Sequence, residues 1–344
     1  MKELGIGVIG CGQWGPNHIR TLHSLDGVFV RCAADLSDER RQMVSRQYPW
    51  VETTDDMDRV INDDDVDAVV VATPIRTHHS IVKKALNAGK HVLCEKPLTL
   101  RSCDCEELAE LAEVKGLTLM VGHVFMFNPG IVHLKEEIEN GSLGRIYYLD
   151  AVRTNLGPIR QDVGATFDLA SHDISIFNYL LDAEPIEVSA HGGYYIQPDR
   201  EDMAFITFEY PDKTLCHVHV SWLNPRKVRQ LTVVGDKKMA VWDDMKPLEM
   251  IRLYDKGLDG SPGYDTFGQF QMILRDADIT IPRVNMYEPL LKQAEHFIDC
   301  LRAGRTPLAD GRNGLATVRA LEAAVESLRH HGRPVPIDHA VRQI

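Results

Sequence analysis

Short apolar runs alternate with helix-period patterns over the first third of the chain. The apolar runs predict strands at Leu4–Ile9, Val28–Ala34, Ala68–Ala72, His91–Cys94 and Leu117–Val121. The intervening patterns predict helices at Pro16–Ser24, Ser37–Gln47, Asp55–Asn62, Thr77–Ala88 and Ser102–Lys115. Because the strands are continuously apolar, we expect both faces of their sheet to be covered. The alternation therefore predicts a doubly wound parallel sheet.

The pattern changes after Gly122. The later helices are predicted at Ile131–Asn140, Thr166–Leu181, Glu288–Ala303 and Asn313–Arg329. Consecutive strands are predicted at Glu187–Tyr195, Met203–Tyr210, Thr214–Trp222, Lys227–Gly235 and Lys238–Trp242. Short turns join these strands, so their sheet is expected to be open and largely antiparallel. The stretch Lys256–Gly268, rich in Gly, Ser, Pro and Asp, predicts an exposed loop.

The length of the chain favours two domains. Its 344 residues exceed what one hydrophobic core usually serves. We predict an α/β protein with a dinucleotide-binding Rossmann domain at residues 1–122. Residues 123–344 are predicted to form an α+β domain that binds substrate and mediates oligomerisation.

Charge and cysteine usage narrow the function classes. The formal net charge of −12 disfavours binding to the phosphate backbone of nucleic acids. No apolar run approaches the ~20 residues that span a bilayer, and no segment resembles an export signal. We therefore expect a cytoplasmic protein without a membrane partner. The seven cysteines form no Cys-x-x-Cys pair, so we expect reduced thiols and no metal site.

A G-x-G-x-x-G sequence follows the first strand and opens the first helix, which is the context that dinucleotide binding requires. Gly10 allows a tight turn, Gly12 lets the backbone approach a pyrophosphate, and Gly15 lets the helix pack close to the strand. Gln13 and Trp14 complete the loop. The helix N-terminus offers free N–H groups and a positive dipole end to the anion.

An acid at the end of the second predicted strand indicates which dinucleotide binds. Asp35 lies twenty residues after Gly15, where a carboxylate can accept hydrogen bonds from the adenosine ribose hydroxyls and would repel a 2′-phosphate. We therefore predict NAD as the cofactor. Ser37, Arg40 and Arg41 follow closely and leave NADP open.

Two further strand ends carry chemistry, at the edge where parallel sheets bind ligands. These are Ala72-Thr73-Pro74, with Thr77-His78 opening the next helix, and Glu95-Lys96-Pro97. Together with Gly10–Gly15, Phe127-Asn128-Pro129, Leu143-Gly144-Arg145 and Glu288-Pro289-Leu290, they make nearly the whole chain similar to one family. The chain resembles the glucose-fructose oxidoreductase / inositol dehydrogenase / rhizopine catabolism (Gfo/Idh/MocA) oxidoreductases.

The resemblance implies roles for these strand ends. Glu95 and Lys96 would border the nicotinamide ribose, with Lys96 also reaching the reacting hydroxyl, and the Lys96–Pro97 bond is often cis in this family. Thr73, Pro74 and His78 would line the cofactor. Met126 departs from the family pattern, since many relatives carry a polar or basic residue there.

Oxidising a secondary alcohol requires a base for the hydroxyl proton, ideally with a pKa near the working pH. His172 is our candidate, and Asp168 lies four residues earlier, where it would share a helix face and orient the imidazole. The alternative is that Asp168 caps the helix and His172 is an ordinary helical residue without a catalytic role. The family, however, places an Asp-x-x-x-His pair here. We assign Lys96 to stabilising alkoxide charge, although the reverse assignment stays open. Asp173 is expected to be a structural partner.

Two basic segments suit a diphosphate, although a solvated strand rim would also explain them. They are Arg153–Arg160 and Ser221–Arg229, and they look like those of the family's sugar-nucleotide 3-dehydrogenases. By that likeness the expected substrate contacts, beside the catalytic Lys96, Asp168 and His172, are Arg153, Asn155, Arg160 and Arg229.

The predicted function is NAD-dependent oxidation of a sugar hydroxyl, first of all C3 of UDP-N-acetylglucosamine or its uronic acid. A dehydrogenase of a free sugar or cyclitol such as inositol is the alternative within enzymes. A non-catalytic NAD(P)-sensing regulator is the third possibility, and retention of Glu95-Lys96 together with Asp168 and His172 argues against it. By analogy with relatives we expect a homo-oligomer, either a dimer or a tetramer.

Overall fold

The computed structural model describes residues 3–259 and 273–338, which fall into two compact units. The first unit comprises the chain up to Phe127 together with Tyr287–Glu322, and the second comprises Asn128–Met286 and the chain from Ala323 onward. This division differs from the predicted one at residue 122, because the chain returns to the first unit near its end. Leu315 and Val318 are buried in the same core as the strands of the first unit, so that segment completes its packing.

A six-stranded parallel sheet organises the first unit, in the order β3-β2-β1-β4-β5-β6. Its strands are β1 (Leu4–Ile9), β2 (Val28–Ala34), β3 (Glu52–Thr54), β4 (Ala68–Val71), β5 (His91–Cys94) and β6 (Leu119–Val121). The helices between them are α1 (Gly15–His23), α2 (Asp38–Gln47), α3 (Met57–Ile61), α4 (His78–Asn87) and α5 (Ser102–Lys115). The predicted doubly wound sheet is confirmed. β3 was not predicted because it is short and polar.

Local chemistry explains these helix boundaries. The hydroxyl of Ser37 caps α2 by accepting the Arg40 N–H, and Pro16 occupies the first turn of α1, where its missing N–H costs nothing. α5 ends at Gly116, whose φ of 64° is left-handed. All four residues of β4 are fully buried, as expected for a strand covered on both faces.

A nine-stranded sheet organises the described part of the second unit, in the order β14-β13-β12-β11-β7-β10-β9-β8-β15. Its strands are β7 (Ile146–Leu156), β8 (Glu187–Gly193), β9 (Met203–Glu209), β10 (Leu215–Ser221), β11 (Leu223–Gly235), β12 (Met239–Asp243), β13 (Ile251–Asp259), β14 (Ile273–Thr280) and β15 (Val335–Pro336). β7 and β10 pair in parallel, and the other neighbours are antiparallel. The predicted largely antiparallel sheet is confirmed.

The remaining helices are α6 (Pro129–Glu139), α7 (Ser171–Leu181), α8 (Pro289–Ala303) and α9 (Gly311–Arg329). The predicted helix over Thr166–Leu181 is divided, since Thr166–Ala170 is a π-helix and α7 follows it. α6 approaches the sheet through Gly130, where an added Cβ would lie 2.6 Å from both Trp242 and Met250. Gly130 is therefore the residue that permits this contact.

Three of the longer strands in the second unit were not predicted, for different reasons. β7 alternates buried and more exposed positions and includes the buried Arg153, so no apolar run marks it in the sequence. β13 includes residues 256–259, so the predicted loop Lys256–Gly268 is wrong over those residues. The rest of that loop lies outside the described residues. β14 carries three charged residues among eight, so no apolar run marked it.

Period-two alternation gives the second sheet one buried and one open face. Along β9, Ala204, Ile206 and Phe208 are fully buried, whereas Phe205 is 46% exposed. Tyr148 and Leu215 are also exposed, and the Phe205 ring packs against the ring of His219 at 4.5 Å. The open face therefore carries large apolar side chains in contact with water.

The cysteines are all free thiols, and Cys103 is the exposed one among them. Burial, the largest effect, raises the pKa of both Cys11 and Cys32 to about 12. Within residues 3–259 and 273–338, no helix is long and apolar enough to cross a membrane.

A buried ion pair joins β7 to α7. The Arg153 guanidinium donates to both carboxylate oxygens of Asp173, at 2.7 and 2.9 Å, and both side chains are only 4% exposed. A bidentate pair of this kind satisfies both charges away from water. This ion pair gives Arg153 a structural role, and its role as a substrate contact stays a prediction.

We expect Arg153→Met to lower the free energy of unfolding by about 3 to 5 kcal/mol, because it leaves the Asp173 carboxylate buried without its partner. Urea denaturation measures the change. The double variant Arg153→Met/Asp173→Leu should recover most of the loss. Arg252→Met, which removes a surface pair with Glu249, is the matched control and should cost less than about 1 kcal/mol. A stable Arg153→Met protein with impaired substrate binding would contradict the structural role.

Candidate active site

The glycine loop between β1 and α1 is built by close backbone contacts. Gly10 has φ +100°, and an added Cβ would lie 2.5 Å from the Ala72 carbonyl oxygen. At Gly15 it would lie 2.0 Å from the Gly10 carbonyl oxygen. At Gly12 only the Arg40 side chain comes near, at 3.6 Å. Two glycines therefore permit the turn, and the third leaves its backbone open to a ligand.

Asp35 directly follows β2 and is held by the glycine loop. Its carboxylate accepts the Cys11 N–H and the Ser37 N–H, each at 2.8 Å. Arg40 lies 3.7 Å from the same carboxylate, while Arg41 donates to the Asp35 carbonyl oxygen at 2.7 Å. Each carboxylate oxygen keeps a free lone pair, so Asp35 can still accept from a ribose hydroxyl.

His78 links the loops that follow β4 and β5. Its Nε2 lies 2.8 Å from the Thr73 carbonyl oxygen, and its Nδ1 lies 3.1 Å from that of Pro97 and 3.2 Å from that of Leu98. Burial lowers the pKa of His78, although the carbonyl acceptors oppose this effect. Its ring is 1% exposed. His78 therefore supports the loops predicted to line a cofactor, with its own ring nitrogens engaged by the backbone.

The loop after β4 has its own internal hydrogen bonds. The Thr77 hydroxyl donates to the Thr73 hydroxyl at 2.8 Å and lies 2.7 Å from the Pro74 carbonyl oxygen. Gln13 and Trp14 are exposed at the start of α1, and Trp14 is 40% exposed. These side chains are available to a ligand at the carboxyl edge of the sheet.

Glu95 and Lys96 directly follow β5, at a turn in which the Lys96–Pro97 bond is cis, as the resemblance implied. The Glu95 carboxylate receives His18 Nε2 at 2.8 Å and the Lys96 N–H at 3.2 Å. Burial opposes its ionisation, but His18 and Lys96 outweigh that effect and hold the pKa of Glu95 below its usual value. Glu95 is thus a charged carboxylate.

His123 follows β6, next to the same turn. Burial, reinforced by the charge of Lys96, lowers its pKa to about 3, so the ring is neutral. The preceding Gly122 donates its N–H to the Cys94 carbonyl oxygen at 2.7 Å. Neither His18 nor His123 was predicted from the sequence, because a buried histidine has no local signature that distinguishes it from a core residue.

In the second unit, Asp168 is anchored in the π-helical turn. Its carboxylate accepts the indole N–H of Trp222 at 3.2 Å and an N–H of Arg160 at 3.2 Å. Trp222 is 1% exposed, and no local sequence pattern indicates its contact with Asp168. His172 lies in the first turn of α7, partly buried. The orientation of His172 by Asp168 stays a prediction.

Each arginine predicted to bind substrate lies beside a carboxylate. Beyond the Arg153–Asp173 pair, Arg160 forms a bidentate pair with Asp162 at 2.9 and 2.6 Å. Arg229 donates to Asp244 at 3.1 Å. The Asn155 amide donates to the Gly157 carbonyl oxygen. The basic segments are therefore largely neutralised by their own acids, while Arg226 and Lys227 of β11 remain exposed.

The first unit thus brings together most of the residues expected to hold a dinucleotide. Gly12 offers open backbone, Asp35 offers a fixed carboxylate, and Glu95 with Lys96 offers a charged pair beyond β5. This donor and acceptor set fits NAD at the carboxyl edge of a parallel sheet. In the described part of the chain, no group of three or more His, Cys, Asp or Glu residues is placed to hold a metal ion.

Comparison with known proteins identifies similar dehydrogenases. The chain is 28% identical to scyllo-inositol 2-dehydrogenase (NAD(+)) of Bacillus subtilis (strain 168), covering 98% of this chain and 97% of that protein. It is 27% identical to UDP-N-acetylglucosamine 3-dehydrogenase of Acidithiobacillus ferrooxidans, covering 95% and 99%. The WlbA dehydrogenase from Bordetella pertussis, solved with NADH and UDP-GlcNAcA, shares the fold with a TM-score of 0.83 at 21% identity, covering 98% and 99%.

Two family models match successive parts of the chain. Residues 4–123 match the oxidoreductase family, NAD-binding Rossmann fold, and residues 131–241 match the GFO/IDH/MocA C-terminal domain. The matches together cover more than half of the sequence, and the first includes the glycine loop and the Glu95-Lys96-Pro97 turn. The chain therefore belongs to the Gfo/Idh/MocA family of NAD-dependent oxidoreductases.

Proposed function

We propose that this NAD-dependent sugar dehydrogenase oxidises a secondary ring hydroxyl, with C3 of UDP-N-acetylglucosamine or its uronic acid as the first candidate. The observation that carries the proposal is the charged Glu95–Lys96 pair at the carboxyl edge of the NAD-binding sheet. The candidate substrate is supported by the 27% identical UDP-N-acetylglucosamine 3-dehydrogenase, which is matched over nearly its full length.

The proposed mechanism divides two tasks between this chain's residues. His172 takes the proton of the hydroxyl as general base, and Lys96 stabilises the negative charge that develops on the oxygen. When bound, NAD supplies the acceptor for the hydride. Asp168 favours the protonated form of His172, and it is itself positioned by Trp222 and Arg160.

The cofactor contacts follow from the first unit. We assign the pyrophosphate to the backbone of Gly10, Gly12 and Gly15, the adenosine ribose to Asp35, and the nicotinamide ribose to Glu95 and Lys96. Gln13, Trp14, Thr73 and Pro74 contribute to the walls of the same site.

A cyclitol is the second candidate, and one observation favours it. Arg153, Arg160 and Arg229 are already paired with acids, so a neutral polyol would not have to compete for them. The 28% identical scyllo-inositol dehydrogenase supports the same alternative. A diphosphate would then depend on Asn155, on displacement of an existing pair, or on the exposed Arg226 and Lys227.

The substrate is tested by following NADH formation with the purified protein and NAD. We expect turnover with UDP-N-acetylglucosamine or its uronic acid that exceeds turnover with inositols and free hexoses. Turnover with inositols alone would establish the second candidate and reject the first. Failure with all of them, despite tight NAD binding, would favour a non-catalytic sensor.

In the same assay, we expect His172→Asn to lower kcat at least about a hundredfold, the contribution typical of a general base, while the Kd for NAD stays within a few-fold. His330→Asn changes an exposed histidine on the surface of the second unit and should behave like the unaltered protein. A near-normal rate in His172→Asn would move the base assignment to Lys96.

Cofactor selectivity follows from the fixed charge of Asp35. We expect Asp35→Ser to raise the preference for NADP over NAD by about tenfold or more, because a charge repulsion worth ~1 to 4 kcal/mol is removed beside Arg40. Glu39→Ser removes an exposed acid from α2 and is the matched control. Competition by the two dinucleotides, measured as the ratio of kcat/KM, reads out the change, and an unaltered ratio would exclude Asp35 from the ribose site.

The open face of the second sheet is assigned to a homo-oligomer interface, because it exposes Tyr148, Phe205 and Leu215 together. Light scattering coupled to size exclusion should give the mass of a dimer or tetramer. Phe205→Lys should shift the mass toward the single chain, whereas Val114→Lys, at an equally apolar exposed position on α5, should not. A single-chain mass for the unaltered protein would refute the interface.

A further inference from the structure

We propose that His18 is a positioning residue for the cofactor, which fixes the Glu95 carboxylate for the nicotinamide ribose and couples it to the helix that receives the pyrophosphate. The inference rests on the proposed role of Glu95. It goes beyond that role by naming the group that orients the carboxylate and by joining the two halves of the dinucleotide site.

The contact is short and inaccessible to water. His18 Nε2 lies 2.8 Å from Glu95 Oε1, and the two side chains are 1% and 13% exposed. A hydrogen bond to a charged group in such surroundings is stronger than one at the surface. The pair is therefore a fixed feature of the first unit.

Hydrogen-bond chemistry sets the tautomer of His18. A carboxylate only accepts, so Nε2 must carry the proton that is donated to Glu95. Nδ1 is buried and has no partner among the described residues. The donor in this contact is therefore His18 Nε2, and the charged Glu95 carboxylate is the acceptor beside Lys96.

The second carboxylate oxygen is confined as well. Glu95 Oε2 accepts the Lys96 N–H at 3.2 Å, and a Cβ added to Gly122 would lie 3.2 Å from it. The carboxylate is thus held by a ring nitrogen on one side and by backbone on the other. These contacts fix the direction of the remaining lone pairs of the carboxylate. The carboxylate is therefore pre-organised to accept a hydrogen bond from a hydroxyl.

The position of His18 on α1 extends this effect to the pyrophosphate. α1 begins at Gly15, so His18 lies in the first turn after the glycine loop. The backbone N–H of His18 donates to the Trp14 carbonyl oxygen at 3.0 Å. The same helix end that faces the anion therefore carries the donor to Glu95. A dinucleotide that contacts both the N-terminus of α1 and the Glu95 carboxylate therefore binds groups whose positions are already fixed.

The test compares NAD with ADP, which contains only the adenosine diphosphate half, by calorimetric titration of the full-length protein. We expect His18→Leu to raise the Kd for NAD about ten- to a hundredfold, the usual effect of losing a hydrogen bond to a charged group. The Kd for ADP should change less than about twofold. His18→Gln retains an N–H donor and should recover most of the affinity. His23→Leu, the same change on the same helix, is the matched control.

Glu95→Gln supplies the second arm. If His18 acts through Glu95, the double variant His18→Leu/Glu95→Gln should bind NAD no more weakly than the weaker single variant. Equal losses for NAD and ADP would show that His18 merely supports the glycine loop, and unchanged NAD affinity in His18→Leu would also overturn the proposal. If Glu95→Gln alone leaves NAD affinity unchanged, the assigned role of Glu95 fails instead.

Discussion

The close approach of backbone at the carboxyl end of β1 is the constraint on which the NAD-binding unit depends. No side chain fits at Gly10 or Gly15, because the Ala72 and Gly10 carbonyl oxygens already occupy that space. This contact fixes where α1 starts and hence which residues of its first turn face the sheet. His18 meets Glu95 as a consequence. Through His18, the glycine loop after β1 therefore helps to set the geometry of the Glu95–Lys96 turn after β5.

Most of the parallel sheet of the first unit could be predicted from the sequence, and the reason is physical. The short, polar β3 and the return of the chain at Tyr287–Glu322 could not. Strands buried on both faces appear as continuous apolar runs, and the helices between them carry clear caps such as Ser37 and Gly116. The glycine loop and Asp35 occupy fixed places in this pattern, so their arrangement follows from sequence order and spacing. The contacts of His18 and His123 do not, because they join residues distant in sequence that share no periodic signal.

The second unit was harder to predict because several of its arginines pair with carboxylates of the same unit. Arg153 on β7 is buried against Asp173, so a residue that usually marks a surface lies inside the packing. Likewise, the arginines near Asp168 and Asp244 looked like free cations in the sequence, and only the fold brings their acids beside them. These arginines therefore offer less unpaired positive charge than the sequence indicated. A substrate diphosphate would therefore have to displace the acids from these arginines or bind other groups, whereas a neutral substrate would not.

The return of the chain to the first unit at Tyr287–Glu322 affects how the protein is made. A chain emerging from the ribosome normally completes its domains in order, the N-terminal one first. Here the core that includes Leu315 and Val318 cannot close until almost all of the second unit has been synthesised. During that interval the apolar surface meant for these residues stays open to solvent. Synthesis of this dehydrogenase thus includes a stage in which the core of its NAD-binding unit lacks the residues that complete it.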